Sequence, residues 1–174
     1  MDPNLKQRIV EEAYRLFMAK GMKQTSFCDV AFAVHKSKGA VIHYFPSKKQ
    51  LVEAVVKMRF FPASQLPSEM NSLVEKSWND FLKVYRNPIE RVINSFPEHL
   101  RGNGLVHYMQ FVSSAHEYMD EFPQMYQELL AREQDFLSDV AYSHKMSGNN
   151  TKAFSRQALD TSIGRTFLGM FLKI

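Results

Sequence analysis

Apolar residues recur at intervals of three and four along most of the chain, and nowhere do they alternate strictly with polar ones. That period belongs to amphipathic helices, so the pattern predicts an all-α fold. A first helix is predicted over about Asn4–Lys20, with Leu5, Ile9, Ala13, Leu16 and Phe17 as its buried stripe and Gly21 just past its end. From Thr25 to Leu51 the pattern shortens into two brief helices and the start of a third. Phe27, Val30, Ala31 and Val34 face inward on the first of these, and Val41 and Phe45 on the second. The fourth helix starts after Ser47 and continues through Leu51, Val52, Val55, Val56 and Met58 to about Phe60. The run PASQLPSE, with two prolines, reads as a domain boundary. Beyond it, helices are predicted near 66–85, 88–96, 103–120, 123–145 and 150–172, with Pro88 in a first turn after the N-cap Asn87.

The short helices carry their own punctuation. Ser26 is followed three residues later by Asp29, the spacing of a capping box. The pattern breaks at His35-Lys36, Ser37 is a fresh N-cap, and Pro46 stops the helix that Ser37 begins. Two short helices joined by a tight turn form a helix-turn-helix, which lays its second helix in the DNA major groove. Ser37, Gly39 and Ala40 make the start of that helix slim enough for its backbone to approach base edges. Lys36, Lys38, His43, Tyr44, Lys48 and Lys49 surround it with donors for phosphates.

These residues resemble the DNA-binding domain of the TetR family of transcriptional regulators. The resemblance spans residues 5–60, about a third of the chain. It lies in Ile9, Ala13, Leu16, Phe17 and Gly21, then T-S-F-x-D-V-A, then S-K-G-A-V-I-H-Y-F-P-S-K-x-x-L. It implies that Ser26, Lys38, Gly39, Ala40, His43, Tyr44 and Lys48 occupy positions that touch DNA. Three residues depart from the family pattern. His35 stands where the turn usually has glycine, Lys36 where an apolar residue is usual, and Ile42 where tyrosine is common. The resemblance further implies a head at residues 1–60, including the linking helix 47–60, on a helical body at 61–174 that binds a ligand and dimerises.

In that body Trp78, Phe81, Tyr85, Tyr108 and Phe111 are candidate pocket-lining residues, with His107 or Glu117 as a polar anchor. Plain helical core is the simpler account of most of its aromatics. The last two helices carry apolar stripes that include Phe136 and Val140 on one and Leu159, Ile163, Phe167 and Phe171 on the other. The resemblance implies that they pair with a second copy in a four-helix bundle. Gly164 and Gly169 lower helix propensity there, and close helix approach is one reason to keep them.

Charge sharpens the division. Residues 1–60 hold 11 Lys and Arg against 5 Asp and Glu, whereas the remaining residues hold 11 against 13. A basic head on a mildly acidic body suits a DNA-binding protein. No apolar run approaches the ~18 residues of a membrane span, and the N-terminus lacks an apolar signal region. The single cysteine, Cys28, forms no internal disulfide, which agrees with a cytoplasmic location.

Catalytic and metal patterns are weak. His116-Glu117 begins like a zinc motif, but Asp120 stands where its second histidine belongs. No phosphate-binding glycine loop, nucleophile elbow or paired cysteines occur, so no cofactor, metal or enzymatic activity is expected. The expectation is a homodimeric regulator, a repressor of a double-stranded DNA operator, released by a small apolar or amphipathic effector. The alternatives are a helical adaptor that has lost operator binding and, more remotely, a small enzyme using the body cavity.

Overall fold

A computed structural model describes residues 4–67, 70, 77–144 and 151–172, with side chains in the last helix described as far as Gly169. Among the described residues the chain is helical and has no strand. The elements are α1 (Leu5–Lys20), α2 (Phe27–Ala33), α3 (Lys38–Tyr44), α4 (Lys48–Val55), a π turn (Val56–Phe60) and α5 (Phe61–Ser64). There follow α6 (Trp78–Val84), α7 (Pro88–Asn94), α8 (Glu98–Arg101), α9 (Gly104–Tyr118), α10 (Phe122–Ser143) and α11 (Thr151–Leu172). Packing groups them into two compact units, residues 1–63 with 92–123, and residues 64–91 with 124–174.

In the first unit α1 is the central element. It packs against α2, α4 and the π turn, and also against α9. Leu5, Ile9, Ala13 and Phe17 are buried as expected, but Leu16 is only half-buried, while Val10, Tyr14 and Met18 are buried as well. A helix covered on two sides needs more than one apolar stripe. The Tyr14 ring meets Phe96 and Phe111 edge-on, at 6.5 and 5.9 Å between centroids.

The fourth predicted helix departs from its expected course. A continuous α-helix would carry the inward face of Val52, Val55 and Val56 to Arg59. The π turn instead holds one extra residue, its closing bond running from the Phe61 N–H to the Val56 carbonyl. Phe60 is thereby brought into the core, and Arg59 and Met58 stay outside. Phe60 stacks on Phe111 at 4.7 Å and 14°. Pro62 follows within α5 rather than ending the helix. It lacks the N–H that an α turn would send to the Met58 carbonyl, so a widened turn ahead of it leaves no donor wasted.

The tight turn forms around its unusual residue. His35 has φ 54°, the left-handed region that glycine normally supplies. Its N–H donates to the Phe32 carbonyl at 3.1 Å and that of Lys36 to the Ala31 carbonyl at 2.9 Å, the paired bonds of a Schellman cap. Arg8 Nη2 donates to the Val34 carbonyl at 3.0 Å and fastens the turn to α1. Replacing His35 with glycine is expected to stabilise the head by about 0.5–1 kcal/mol, net of glycine's greater unfolded-state freedom. Urea denaturation of the two proteins measures this, and an unchanged midpoint would mean that the histidine carries no backbone cost.

The second unit has a core of Trp78, Phe81, Tyr85, Leu137, Val140, Ala141 and Leu159. The helix expected over 66–85 is present as Trp78–Val84, capped by Ser77, whose Oγ accepts the Asp80 N–H at 3.3 Å. Leu66 and Pro67 are not helical, and residues 68, 69 and 71–76 lie outside the described residues. Asn87 caps α7 as expected, its Oδ1 accepting the N–H groups of Ile89 and Glu90 at 3.0 and 3.1 Å. Its Nδ2 donates to Thr166 Oγ1 at 2.8 Å and to Ser162 Oγ at 3.2 Å, so the same side chain also holds α11. The short α8 was not expected from the pattern.

Two charged groups lie inside this apolar unit. Arg91 and Glu133 pair at 2.7 Å with side chains 6% and 2% exposed. Their second bond, Nη1 to Oε1, is 3.0 Å. The Tyr85 hydroxyl donates to the same carboxylate at 2.6 Å, and Arg91 also donates to the Ser64 carbonyl at 2.7 and 2.9 Å and to the Arg86 carbonyl. Burial, and then the neighbouring carboxylate charge, push the Tyr85 hydroxyl pKa far above the ordinary tyrosine range, so it remains a donor.

Candidate nucleic-acid interface

Three serines fix the ends of the short helices. Ser26 Oγ accepts the Asp29 N–H at 3.2 Å while Asp29 accepts the Ser26 N–H at 2.6 Å, the reciprocal pair expected from their spacing. Ser37 Oγ accepts the Ala40 N–H at 3.2 Å. Ser47 and Gln50 form a second capping box, both bonds at 3.2 Å. With both ends of α3 defined, Ser37, Lys38, Gly39 and His43 stand exposed, with Ala40 and Tyr44 half-buried behind them. Ser26 and Lys36 are exposed as well. The His43 and Tyr44 rings meet edge-on at 5.5 Å. A Cβ added at Gly39 would meet only Ser37 Oγ, at 3.8 Å, so nothing in the fold itself demands glycine there.

Several of the head's cations are held by carboxylates. Lys20 pairs with Asp29 at 2.8 Å, Lys23 with Glu117 at 2.7 Å, Lys57 with Glu121 at 2.9 Å and Arg59 with Glu11 at 2.7 Å. The Lys20 ammonium and the Ser26 donors hold the Asp29 carboxyl well below the usual carboxylate range. Lys36, Lys38 and Lys49 have no ion pair among the described residues; Lys38 begins α3, and Lys36 and Lys49 lie on either side of it in sequence. Lys48 behaves differently from its neighbours. Its ammonium turns inward, donating to the Thr25 carbonyl and lying 4.5 Å above the Phe17 ring. Burial brings its pKa down to about 8.

The six candidate pocket residues of the body fall in different compact units. Trp78, Phe81 and Tyr85 stack in sequence in the second, at 5.6 Å between successive rings. Tyr108 and Phe111 are close-packed on Phe60 in the first. His107 is half-buried, with its Nδ1 lacking a partner, and Glu117 is held by Lys23. A groove of about 220 Å³ in the second unit is lined by Trp78 and Tyr85 from α6 and its end, and by α11 from Phe154 to Arg165. The α11 wall went unnoticed in the sequence, although Phe154, Ala158 and Ser162 recur there at intervals of four.

Of the candidate dimer residues, Val140 and Leu159 are buried within their own unit, and Phe136 and Ile163 pack partly against the same core. Phe167 is half-buried, and the Phe171 side chain lies outside the described residues. Leu168, beside them, is 58% exposed, and a Cβ added at Gly164 or Gly169 would meet nothing within 4 Å.

Residues 9–55 match the family model described as bacterial regulatory proteins, tetR family. No curated protein matches the chain. Among solved structures, a putative transcriptional regulator from Saccharomonospora viridis in complex with choline aligns with a TM-score of 0.67 at 15% identity, covering 95% of this chain and 86% of the other. A transcriptional regulator from Aquifex aeolicus VF5 aligns at 0.60 with 19% identity, covering 92% and 83%. GusR of Salmonella enterica aligns at 0.60 with 20% identity, covering 94% and 83%. At these identities the likeness establishes a shared fold. Residues 9–55 thus match the tetR-family model, and the chain as a whole shares the all-helical fold of these solved structures.

Proposed function

We propose that the chain is a ligand-responsive transcriptional regulator, acting as a homodimer on a pseudo-palindromic DNA operator and released from it by a small effector. The observation that carries this reading is the exposed start of α3, where Ser37, Lys38 and Gly39 protrude, with Lys36, Lys38 and Lys49 free of ion pairs among the described residues. A helix end of that kind approaches base edges while the lysines hold phosphates. Ser26, Lys36, Ala40, His43 and Tyr44 complete the contact surface, and Lys48 contributes by fixing the start of α4. The intact turn at His35 argues against an adaptor that has lost the geometry for DNA.

The homodimer reading draws on α11, where Leu168 is exposed and Gly164 and Gly169 face open space that a second helix can fill. The effector reading draws on the solved regulators of this fold, one in complex with choline and another with triclosan. Among the described residues no helix is long and apolar enough to cross a membrane. A non-enzymatic, cytoplasmic repressor fits these observations.

Selection of the full chain against a random duplex pool, followed by footprinting, tests the reading. A pseudo-palindromic site is expected, with affinity falling steeply as salt rises, by a log–log slope of ~0.9 per phosphate contact. Absence of any enriched duplex, or a flat salt dependence, would instead favour an adaptor.

A further inference from the structure

The groove in the second unit has a chemistry of its own. Its floor is aromatic: the Trp78 and Phe154 rings lie 5.1 Å apart, and Tyr85 adds a third ring. The Tyr85 hydroxyl is committed to Glu133, so that residue offers the groove only its ring. Phe154 belongs to α11, which also forms one wall; its period places Phe154, Ala158 and Ser162 along one ridge and Gln157, Thr161 and Arg165 along the next. The side chains of Gln157, Thr161 and Arg165 have no hydrogen bond or ion pair among the described residues, and among those residues no carboxylate lines the groove.

We infer that this groove binds a small organic anion, an aromatic ring on the Trp78–Phe154 floor with its acidic group held by Arg165. This rests on the reading of the body as an effector sensor and names the effector's chemical class. A neutral apolar ligand leaves an uncommitted guanidinium at the rim unused. An organic cation suits the rings but meets Arg165 with no carboxylate among the described lining residues to offset it. Size restricts the ligand further. An apolar cavity of about 150 Å³ holds one benzene. The groove, at about 220 Å³, has room for a single ring with a short acidic arm.

Trp78 is the chain's only tryptophan, so its emission reports occupancy directly. The full chain, without DNA, is titrated with phenylacetate, phenylacetamide and phenethylammonium. Phenylacetate is expected to give a saturable change, the amide to bind about fivefold more weakly, as for one rim ion pair, and the cation more weakly still. Arg165→Gln is expected to bring the acid to the amide's affinity without altering the amide. Arg156→Gln, which removes a cation paired to Asp160, controls for net charge and is expected to change neither.

Equal binding of acid and amide, a preference for the cation, no saturable change, or an acid preference surviving in Arg165→Gln would each overturn the assignment. Operator release separates the two readings. If phenylacetate binds through Arg165 but leaves the operator occupied, the anion site stands and the sensor reading fails. If it releases the operator equally from wild type and Arg165→Gln, the sensor reading stands and this site falls.

Discussion

Glu133→Ala is expected to destabilise the body by about 3–5 kcal/mol, the cost of leaving one member of a buried ion pair uncompensated. The carboxylate takes two bonds from Arg91 and one from Tyr85, all inside an apolar unit. Removing it leaves the guanidinium with only the Ser64 and Arg86 carbonyls and frees the Tyr85 hydroxyl from its acceptor. Denaturation followed by Trp78 emission measures the effect in the unit that contains the pair. The double variant Arg91→Met/Glu133→Leu is expected to recover most of the loss, because an apolar pair of similar volume needs no desolvation of charge. A double variant as unstable as Glu133→Ala would show that Arg91 matters mainly for its carbonyl bonds, which methionine cannot make.

The second large effect concerns function without stability. Gly39→Asp is expected to weaken operator binding about 100-fold or more while leaving the melting temperature unchanged or slightly raised. The side chain fits, since its Cβ meets only Ser37 Oγ at 3.8 Å. Aspartate in the first turn of a helix is favourable to the helix dipole, and losing glycine reduces unfolded-state freedom. On the DNA side the same carboxylate faces phosphates, and like charges in contact cost several kcal/mol. Affinity for the selected operator, with thermal unfolding alongside, separates the two. Retained affinity would move the recognition surface away from the start of α3. Lost affinity together with a lower melting temperature would show a folding defect instead.

The head was legible in the sequence because its signals are local. Ser26 with Asp29, Ser37 before Lys38, and Pro46 after Phe45 each act within four residues, and the helix limits follow from them. The turn was legible at His35 because histidine tolerates the left-handed region. What escaped depends on neighbours far along the chain. Tyr14 is buried because Phe96 and Phe111, more than 80 residues away, close on its ring, and no window of sequence contains both partners. The π turn escaped because it shifts the phase by one residue, and Met58 reads as inward only if the helix continues unbroken. Glu133 sits among polar neighbours and reads as surface until Arg91, 42 residues away, is seen beside it. Inward lysines are invisible for a related reason. Nothing in S-K-K says which ammonium faces solvent.

For the proposed regulator, the sorting of the head's cations sets how it would search a chromosome. Sequence-independent attachment to DNA scales with the number of phosphates neutralised, and every genome offers millions of decoy sites. Lys20, Lys23, Lys57 and Arg59 are already tied to carboxylates, and Lys48 to a carbonyl. Lys36, Lys38 and Lys49, on and beside α3, have no ion pair among the described residues and supply much of the electrostatic grip at the proposed contact surface. A regulator with so economical a grip dwells briefly on each decoy, so few molecules are sequestered along the way. Occupancy of the proposed operator then rests on the contact surface at and around α3.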